Sequence, residues 1–209
     1  MTTAETHVDP VQAQDVARWR RAERQRLQAA RRGLSVADQS AVATALSQAL
    51  RDLLDARFAG GAGLVFSGYW PIKGEPDLRP LMTALDAHGV TVVLPVVETR
   101  AAPLVFRRWT PNTRMVRGDW NIPVPPPEAR GPNPDIALAP LVGWDPAGYR
   151  LGYGGGYFDR TLAALTPRPF TIGTGFQAAR LATIFPQPHD IRLDAILTEA
   201  GPQVLPETQ

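Results

Sequence analysis

The run Arg150-Leu151-Gly152-Tyr153-Gly154-Gly155-Gly156-Tyr157-Phe158-Asp159-Arg160 lies between two segments of opposite character. Upstream, Ile136-Ala137-Leu138-Ala139-Pro140-Leu141-Val142 is an apolar run of strand length with Pro140 as an irregularity, and downstream Tyr157 to Leu165 has helical spacing. Glycines in such a junction let the backbone turn tightly and bring its N–H groups close to an anion. A helix N-terminus behind them adds its positive end. Arg150, Arg160 and Asp159 bracket the loop with charges suited to phosphate and to metal-bound phosphate. No Lys-Ser or Lys-Thr follows the glycines, so this is not a Walker A loop, and the spacing is not that of a dinucleotide fingerprint. The same residues would also suit a glycine-rich turn with stacked tyrosines and no ligand.

Working outward, Leu64-Val65-Phe66 and Val90-Thr91-Val92-Val93-Leu94 are apolar runs rich in strand formers, separated by a helical segment from about Asp77 to His88. A strand, helix and strand of these lengths predict a parallel crossover. Leu104-Val105-Phe106, Phe170-Thr171-Ile172-Gly173 and Leu193-Asp194-Ala195-Ile196-Leu197 supply further strands. Asp15 to Arg32 predicts an arginine-dense helix. Ser35 is placed to cap a second helix ending near Phe58, with Val42, Leu46, Leu50, Leu53 and Leu54 on its apolar face. The prolines between 121 and 135 predict an ordered connector or edge loop. The expected architecture is α/β: one three-layer α/β/α domain over residues 14–200 with a mostly parallel central sheet, a loose tail at 1–13 and another at 201–209. Loops 67–77, 95–100 and 143–157 should meet at the carboxyl ends of the strands, where such sheets gather their sites.

At 209 residues the chain suits one core. Its 22 basic and 20 acidic residues give a net charge of +2, too small to signal a nucleic-acid binder. All the basic residues except Lys73 are arginine, which favours planar multi-donor contacts, although proteome composition could give the same bias. The absence of cysteine excludes disulfides, thiolate catalysis and cysteine-held metals, and is compatible with a reducing cytoplasm. Neither a secretory signal at Met1–Asp9 nor an apolar run long enough to span a bilayer is evident, so a soluble protein is expected.

Pro140-Leu141-Val142-Gly143-Trp144-Asp145, followed by Gly148-Tyr149-Arg150 and the glycine run through Arg160, resembles the signature of the 5-formyltetrahydrofolate cyclo-ligases, also called methenyltetrahydrofolate synthetases. Arg20-Arg21-Ala22-Glu23-Arg24 with Arg31-Arg32-Gly33-Leu34-Ser35 is similar to the family's basic first helix. Tyr69-Trp70-Pro71 with Gly74-Glu75-Pro76-Asp77 resembles its substrate segment, and Leu94–Val97, Asn121–Pro123 and His189–Ile196 follow in the family's order. The likeness spans about residues 16–199. It departs at Arg20, where the family commonly has lysine, and at Gly155, where some members have lysine.

The resemblance implies ATP-dependent conversion of 5-formyltetrahydrofolate to 5,10-methenyltetrahydrofolate with ADP and phosphate released, ATP and Mg²⁺ as cofactors, a cytoplasmic monomer, and no nucleic-acid or membrane partner; polyglutamylated substrate is left open. It assigns nucleotide contacts to Arg20, Arg24, Arg150, Leu151, Gly152, Tyr153, Gly154, Gly155, Gly156 and Tyr157, with Arg150 and Tyr157 catalytic. Substrate contacts are expected of Tyr69, Trp70, Glu75, Trp120 and Tyr157, and by residue type Asp159 and Asp194 are the acids expected on the magnesium side. By residue chemistry alone, Asp77 suits a helix N-cap and Glu75 a solvated loop acid; the resemblance gives Glu75 a recognition role. Arg20 and Arg24 stand one helical turn apart and can face one anion, although such a row is ordinarily solvated; the resemblance favours Arg20, with Arg24 as its companion. Asp145 and Asp190 are further acids of metal-binding type. His7, His88 and His189 form no metal motif, and His189 suits a loop hydrogen bond. The competing assignments are another ATP-dependent small-molecule ligase on this fold, or a phosphate-recognising RNA or nucleotide-binding module using the arginine-rich helix. The second lacks an RNA-binding aromatic motif and would place Glu75 and Asp77 poorly in a phosphate channel.

Overall fold

A computed structural model describes residues 10–206. Four helices, α1 (Pro10–Arg32), α2 (Val36–Phe58), α3 (Arg79–Ala87) and α4 (Tyr157–Ala164), accompany eleven strands. The first five strands are β1 (Val65–Ser67), β2 (Thr91–Val96), β3 (Val105–Arg108), β4 (Val116–Arg117) and β5 (Pro123–Val124). They are followed by β6 (Ile136–Pro140), β7 (Gly143–Trp144), β8 (Arg150–Leu151), β9 (Phe170–Thr174), β10 (Ala195–Thr198) and β11 (Gly201–Val204).

Seven of these form one sheet in the order β11-β10-β9-β6-β1-β2-β3. The five inner strands pair in parallel, and β3 and β11 close the edges antiparallel. Parallel strands are covered on both faces, which is why they read as continuous apolar runs and not as alternation. Phe66, Leu94, Leu138, Ile172 and Ile196, one from each inner strand, are all at most 1% exposed. Truncating one of them to alanine would cost about 2–5 kcal/mol, the usual toll of an unfilled core cavity.

The helices follow their sequence signals. Ser35 accepts a hydrogen bond from Asp38 N at the start of α2, and the expected Val42–Leu54 face is buried against β10 and β11. The N-cap of α3 is Leu78, without a side-chain capping bond, and not Asp77 as its chemistry suggests; Asp77 stands one residue earlier, accepts from Arg79 N and pairs with the Arg79 guanidinium. In α1 the inward stripe is cationic: Arg20, Leu27 and Arg31 are buried and Arg24 partly so, at helical spacing on one face. Arg18, Arg21, Arg26 and Arg32 stay exposed, so the helix divides its arginines between solvent and the interior.

The tail boundaries need correction. Residues 1–9, including His7, and 207–209 lie outside the described residues, but 10–13 belong to α1 and 201–204 form β11, whose backbone completes the sheet edge. Two small hairpins were also not foreseen. Between β6 and the glycine loop, β7 pairs with β8 around a turn held by Asp145, whose Oδ1 accepts from Ala147 N and Tyr149 N and whose Oδ2 accepts from Ile184 N. The proline-rich connector contributes β5, which pairs with β4 and carries Trp120 and Asn121 at its tip in consecutive left-handed conformations, φ 52° and 61°.

Candidate active site

The sheet order reverses at β1: the chain runs from β1 to β2 on one side and later occupies β6, β9 and β10 on the other. Loops leaving the carboxyl ends of β1 and β6 therefore diverge, and a crevice opens between them. A cavity of about 650 Å³ lies there, bounded by Tyr69 and Trp70 after β1, Pro95 and Val97 of the β2 end, Pro140 of β6, the glycine loop, α1 and the Trp120–Val124 segment. This is the meeting of loops that the strand pattern predicts.

One end of the cavity is organised around Glu75, which is 7% exposed. Its Oε1 accepts from the Tyr153 hydroxyl at 2.7 Å and its Oε2 from Ile72 N at 2.9 Å. Burial pushes its pKa above the ordinary value, while the Ile72 amide, Tyr153, Arg31 and Lys73 pull the other way. Tyr69 is buried with its hydroxyl donating to Pro76 O, and Trp70 lies under the Arg79 guanidinium. Glu75 is thus no solvated loop acid but a held acceptor beside aromatic walls.

The other end is the glycine loop, and its polarity is set by arginines. Gly152 O accepts from Arg24 Nε at 2.7 Å, and Gly155 O accepts from Arg160 Nη2. With these carbonyls engaged, the amides of Tyr153, Gly154, Gly155 and Gly156 donate to no group among the described residues, which is the arrangement of an anion nest. Gly154 has φ 96°, and a Cβ there would sit 3.3 Å from Arg24 Cζ. At Gly155 a Cβ would come within 2.8 Å of the Tyr157 ring, so a lysine at that position would require the ring to move. Tyr157 opens α4 and accepts from Ala101 N at 3.3 Å, and its ring meets Trp120 edge-on at 5.7 Å.

The cations divide differently from expectation. Arg20 donates through Nε to Ile184 O, through Nη2 to Phe185 O and to Asp190 Oδ2 at 2.5 Å, and through Nη1 to Asp190 Oδ1. It therefore clamps the 184–190 segment against α1. Arg24 lines the same cavity with only its Nε engaged among the described residues. Burial, then the neighbouring Arg20, lowers its pKa from the ordinary value, outweighing the opposing charge of Asp190. Arg150 is buried over the Phe158 ring and bonded to Asp159 Oδ2 at 2.7 Å, with burial again lowering its pKa.

Two positions in the expected site are corrected. Leu151 is 1% exposed, its side chain in the core and its carbonyl accepting from Val142 N, so it is absent from the cavity wall. Asp194 precedes β10 at the amino edge of the sheet, opposite the cavity, where Thr171 N, Thr171 Oγ1 and Arg168 occupy its oxygens. Asp145 holds a turn and Asp190 holds Arg20. Asp159 does reach the cavity, its Oδ1 accepting from Ile191 N. No cluster of three His or acid side chains suited to a metal occurs among the described residues. With Oδ1 on Ile191 N and Oδ2 on Arg150, Asp159 has no disengaged oxygen, so a magnesium ion at this site would rest on phosphate and water. His189 lies at the cavity rim, 3.9 Å from Asp190. The residues missed from sequence are Arg31 and Lys73, which flank Tyr153. Arg31 follows Arg20, Arg24 and Leu27 at helical spacing, a signal that could have revealed it.

A crevice at the switch point of a parallel sheet, with a bare amide nest and free guanidinium at one end and a carboxylate among aromatics at the other, defines an α/β domain for a ligand pair having an anionic end and a ring system. The profile of the 5-formyltetrahydrofolate cyclo-ligase family matches residues 16–199. The chain is 32% identical over 187 residues to a 5-formyltetrahydrofolate cyclo-ligase of Mycolicibacterium smegmatis, covering 79% of this chain and 95% of the relative. It is 30% identical over 173 residues to that of Haemophilus influenzae, covering 80% and 90%. The fold is similar to the 5,10-methenyltetrahydrofolate synthetases of Aquifex aeolicus (TM-score 0.73, 26% identity, 91% of this chain and 94% of that one) and Mycoplasma pneumoniae (0.66, 25%, 86% and 98%). The chain belongs to the 5-formyltetrahydrofolate cyclo-ligase family.

Proposed function

We propose that this protein is an ATP-dependent ligase that closes 5-formyltetrahydrofolate to 5,10-methenyltetrahydrofolate, with release of ADP and phosphate. The observation that carries the proposal is the division of one cavity into an anion nest and an acceptor-and-aromatic end. The ring system's paired N–H donors suit the free lone pairs of Glu75, and Tyr69, Trp70, Trp120 and Tyr157 offer apolar faces. The polyphosphate suits the amides of the glycine loop and the free fork of Arg24.

The formyl carbon is a poor electrophile because N5 donates into it, and its oxygen is a poor leaving group. In the proposed reaction that oxygen attacks the γ-phosphorus of ATP and ADP departs. N10 then attacks the activated carbon and loses its proton, and phosphate leaves with the former formyl oxygen, so that the ring closes as an amidinium. The substrate supplies its own nucleophiles, and the chain's task is alignment and charge stabilisation. The loop amides and Arg24 would receive charge on the transferred group; Arg150, pinned by Asp159, would hold the loop's entry and contribute positive potential; Tyr157 would border the reacting centre. Mg²⁺ would arrive with ATP near Asp159 and neutralise phosphate charge. We also place the protein in the cytoplasm as a monomer, with no nucleic-acid partner: Arg20 and Arg31 of α1 are buried and Arg24 lines the cavity. No helix among the described residues is long and apolar enough to cross a membrane.

The test is the appearance of the 5,10-methenyl chromophore when the purified protein meets 5-formyltetrahydrofolate, ATP and Mg²⁺, and its absence when ATP is omitted. A folded protein that binds ATP yet forms no chromophore across the accessible pH range would refute the assignment.

A further inference from the structure

Tyr153 belongs to the glycine loop, yet its hydroxyl serves the opposite end of the cavity. It donates to Glu75 Oε1 at 2.7 Å and accepts from Arg31 Nη2 at 2.6 Å. The direction of this chain is fixed by chemistry: a guanidinium can only donate, so the single hydroxyl proton goes to the carboxylate. Arg31 in turn joins three segments, with Nε on Lys73 O, Nη1 on Leu141 O just beyond β6, and Nη2 on Tyr153. Lys73 Nζ stands 5.2 Å from the Tyr153 ring centre. Tyr153 is therefore held between two cations and pressed onto one carboxylate, while its own backbone is part of the amide nest.

Geometry of this kind links two ligands. Tyr153 N and its neighbours await an anion, and Tyr153 Oη fixes which lone pairs of Glu75 remain for a second ligand. The loop has glycine at φ 96° and 65°, residues that lose the most conformational freedom when ordered. An anion on the loop amides would hold that backbone, and with it the ring and hydroxyl that Tyr153 carries to Glu75. We propose that Tyr153 is a positioning residue that couples the two halves of the site: an occupied glycine loop holds the Tyr153 hydroxyl, which holds Glu75 in its accepting orientation, so that nucleotide and folate each tighten the other. The inference rests on the assignment of the loop to nucleotide and Glu75 to folate. Arg31 acts in support, keeping the hydroxyl proton directed at Glu75.

The experiment is calorimetric titration of 5-formyltetrahydrofolate with and without a non-hydrolysable ATP analogue and Mg²⁺, on the wild type, Tyr153→Phe and Arg31→Lys, each checked for folding by its melt. In the wild type the nucleotide analogue should tighten folate binding by about fivefold or more, in the usual range of coupling between sites. In Tyr153→Phe that factor should collapse to within about twofold of unity, because the linkage is lost while both ligands keep most of their contacts. Arg31→Lys, which keeps a charge but not the three-way fork, should lower the factor as well, and provides the test if Tyr153→Phe does not fold. A further readout separates positioning from general damage. Tyr153, Arg31, Lys73 and Tyr69 are the charged or titratable groups facing Glu75. Removing the Tyr153 donor disfavours the carboxylate, so the acid limb of folate binding should move to higher pH in Tyr153→Phe. Coupling of the same size in wild type and Tyr153→Phe, or a wild type that binds both ligands independently, overturns the inference alone; a wild type that binds neither ligand overturns the functional assignment beneath it.

Discussion

Arg24 and Arg20 differ by one helical turn, and the structure predicts opposite consequences for losing them. Arg24→Met keeps the stem and removes the guanidinium. The protein forfeits one bond to Gly152 O, while a bound polyphosphate forfeits the fork facing the nest. A hydrogen bond to a charged group is worth about 1.5–3 kcal/mol, and since Arg24 is only partly buried the lower half of that range applies. At about 1.4 kcal/mol per decade, the KM for ATP should rise about 10- to 40-fold. The melting temperature should move little. Arg20→Met, in contrast, leaves Asp190 without its partner in a pair whose side chains are 10% and 11% exposed, and frees two carbonyls. Breaking a buried pair from one side costs about 3–5 kcal/mol, and for a chain of this size that corresponds to a fall in melting temperature on the order of 10 °C. Steady-state kinetics with varied ATP, beside differential scanning calorimetry of both variants, tests the distinction. Unchanged ATP KM in Arg24→Met, or a specific ATP defect with an unchanged melt in Arg20→Met, would refute the division of labour between them.

Arg150→Ala should lower the melting temperature far more than Arg168→Ala: it strands Asp159 beside the glycine loop, whereas Asp194 keeps both Thr171 donors and its pair with Arg168 is partly solvated. Calorimetry and ATP titration on the two variants check this, and equal melts would contradict it. Asp190 titrates below its ordinary 3.8: burial raises its pKa, but the hydrogen bonds from Arg20 and Gln187 N outweigh that. The stability it confers is therefore present above pH 3.8 and lost as the pH falls below that value. Thermal melts through that acid range should show a shallower decline for Asp190→Asn than for the wild type, and parallel declines would deny Asp190 this role.

The local chemistry of particular residues was legible without a fold. The runs at Leu64–Phe66, Val90–Leu94 and Ile136–Val142, short and rich in strand formers, read as doubly covered strands, Ser35 caps the helix it precedes, and Gly154 serves a backbone that no other residue adopts easily. These are properties of neighbours in the chain, where distance in sequence is distance in space. The glycine run and the segment around Glu75 could likewise be recognised as site material. What the chain order could not express is commitment to distant partners. Asp194 and Asp159 are alike as sequence, but strand direction puts one at the amino edge of the sheet and the other at the cavity. Leu151 adjoins the glycines yet turns into the core because β8 alternates its side chains. Arg20 and Arg24 look interchangeable until Asp190, 170 residues away, claims the first and leaves the second open. The bond from Tyr153 to Glu75 spans 78 residues, and with it the union of the two ends of the cavity exists only once β1 and β6 lie side by side. Sequence determined which groups could carry charge, turn the chain or fill a core; tertiary structure decided which of them are already spent on one another, because a hydrogen-bonding group engaged by the fold is withdrawn from the ligand.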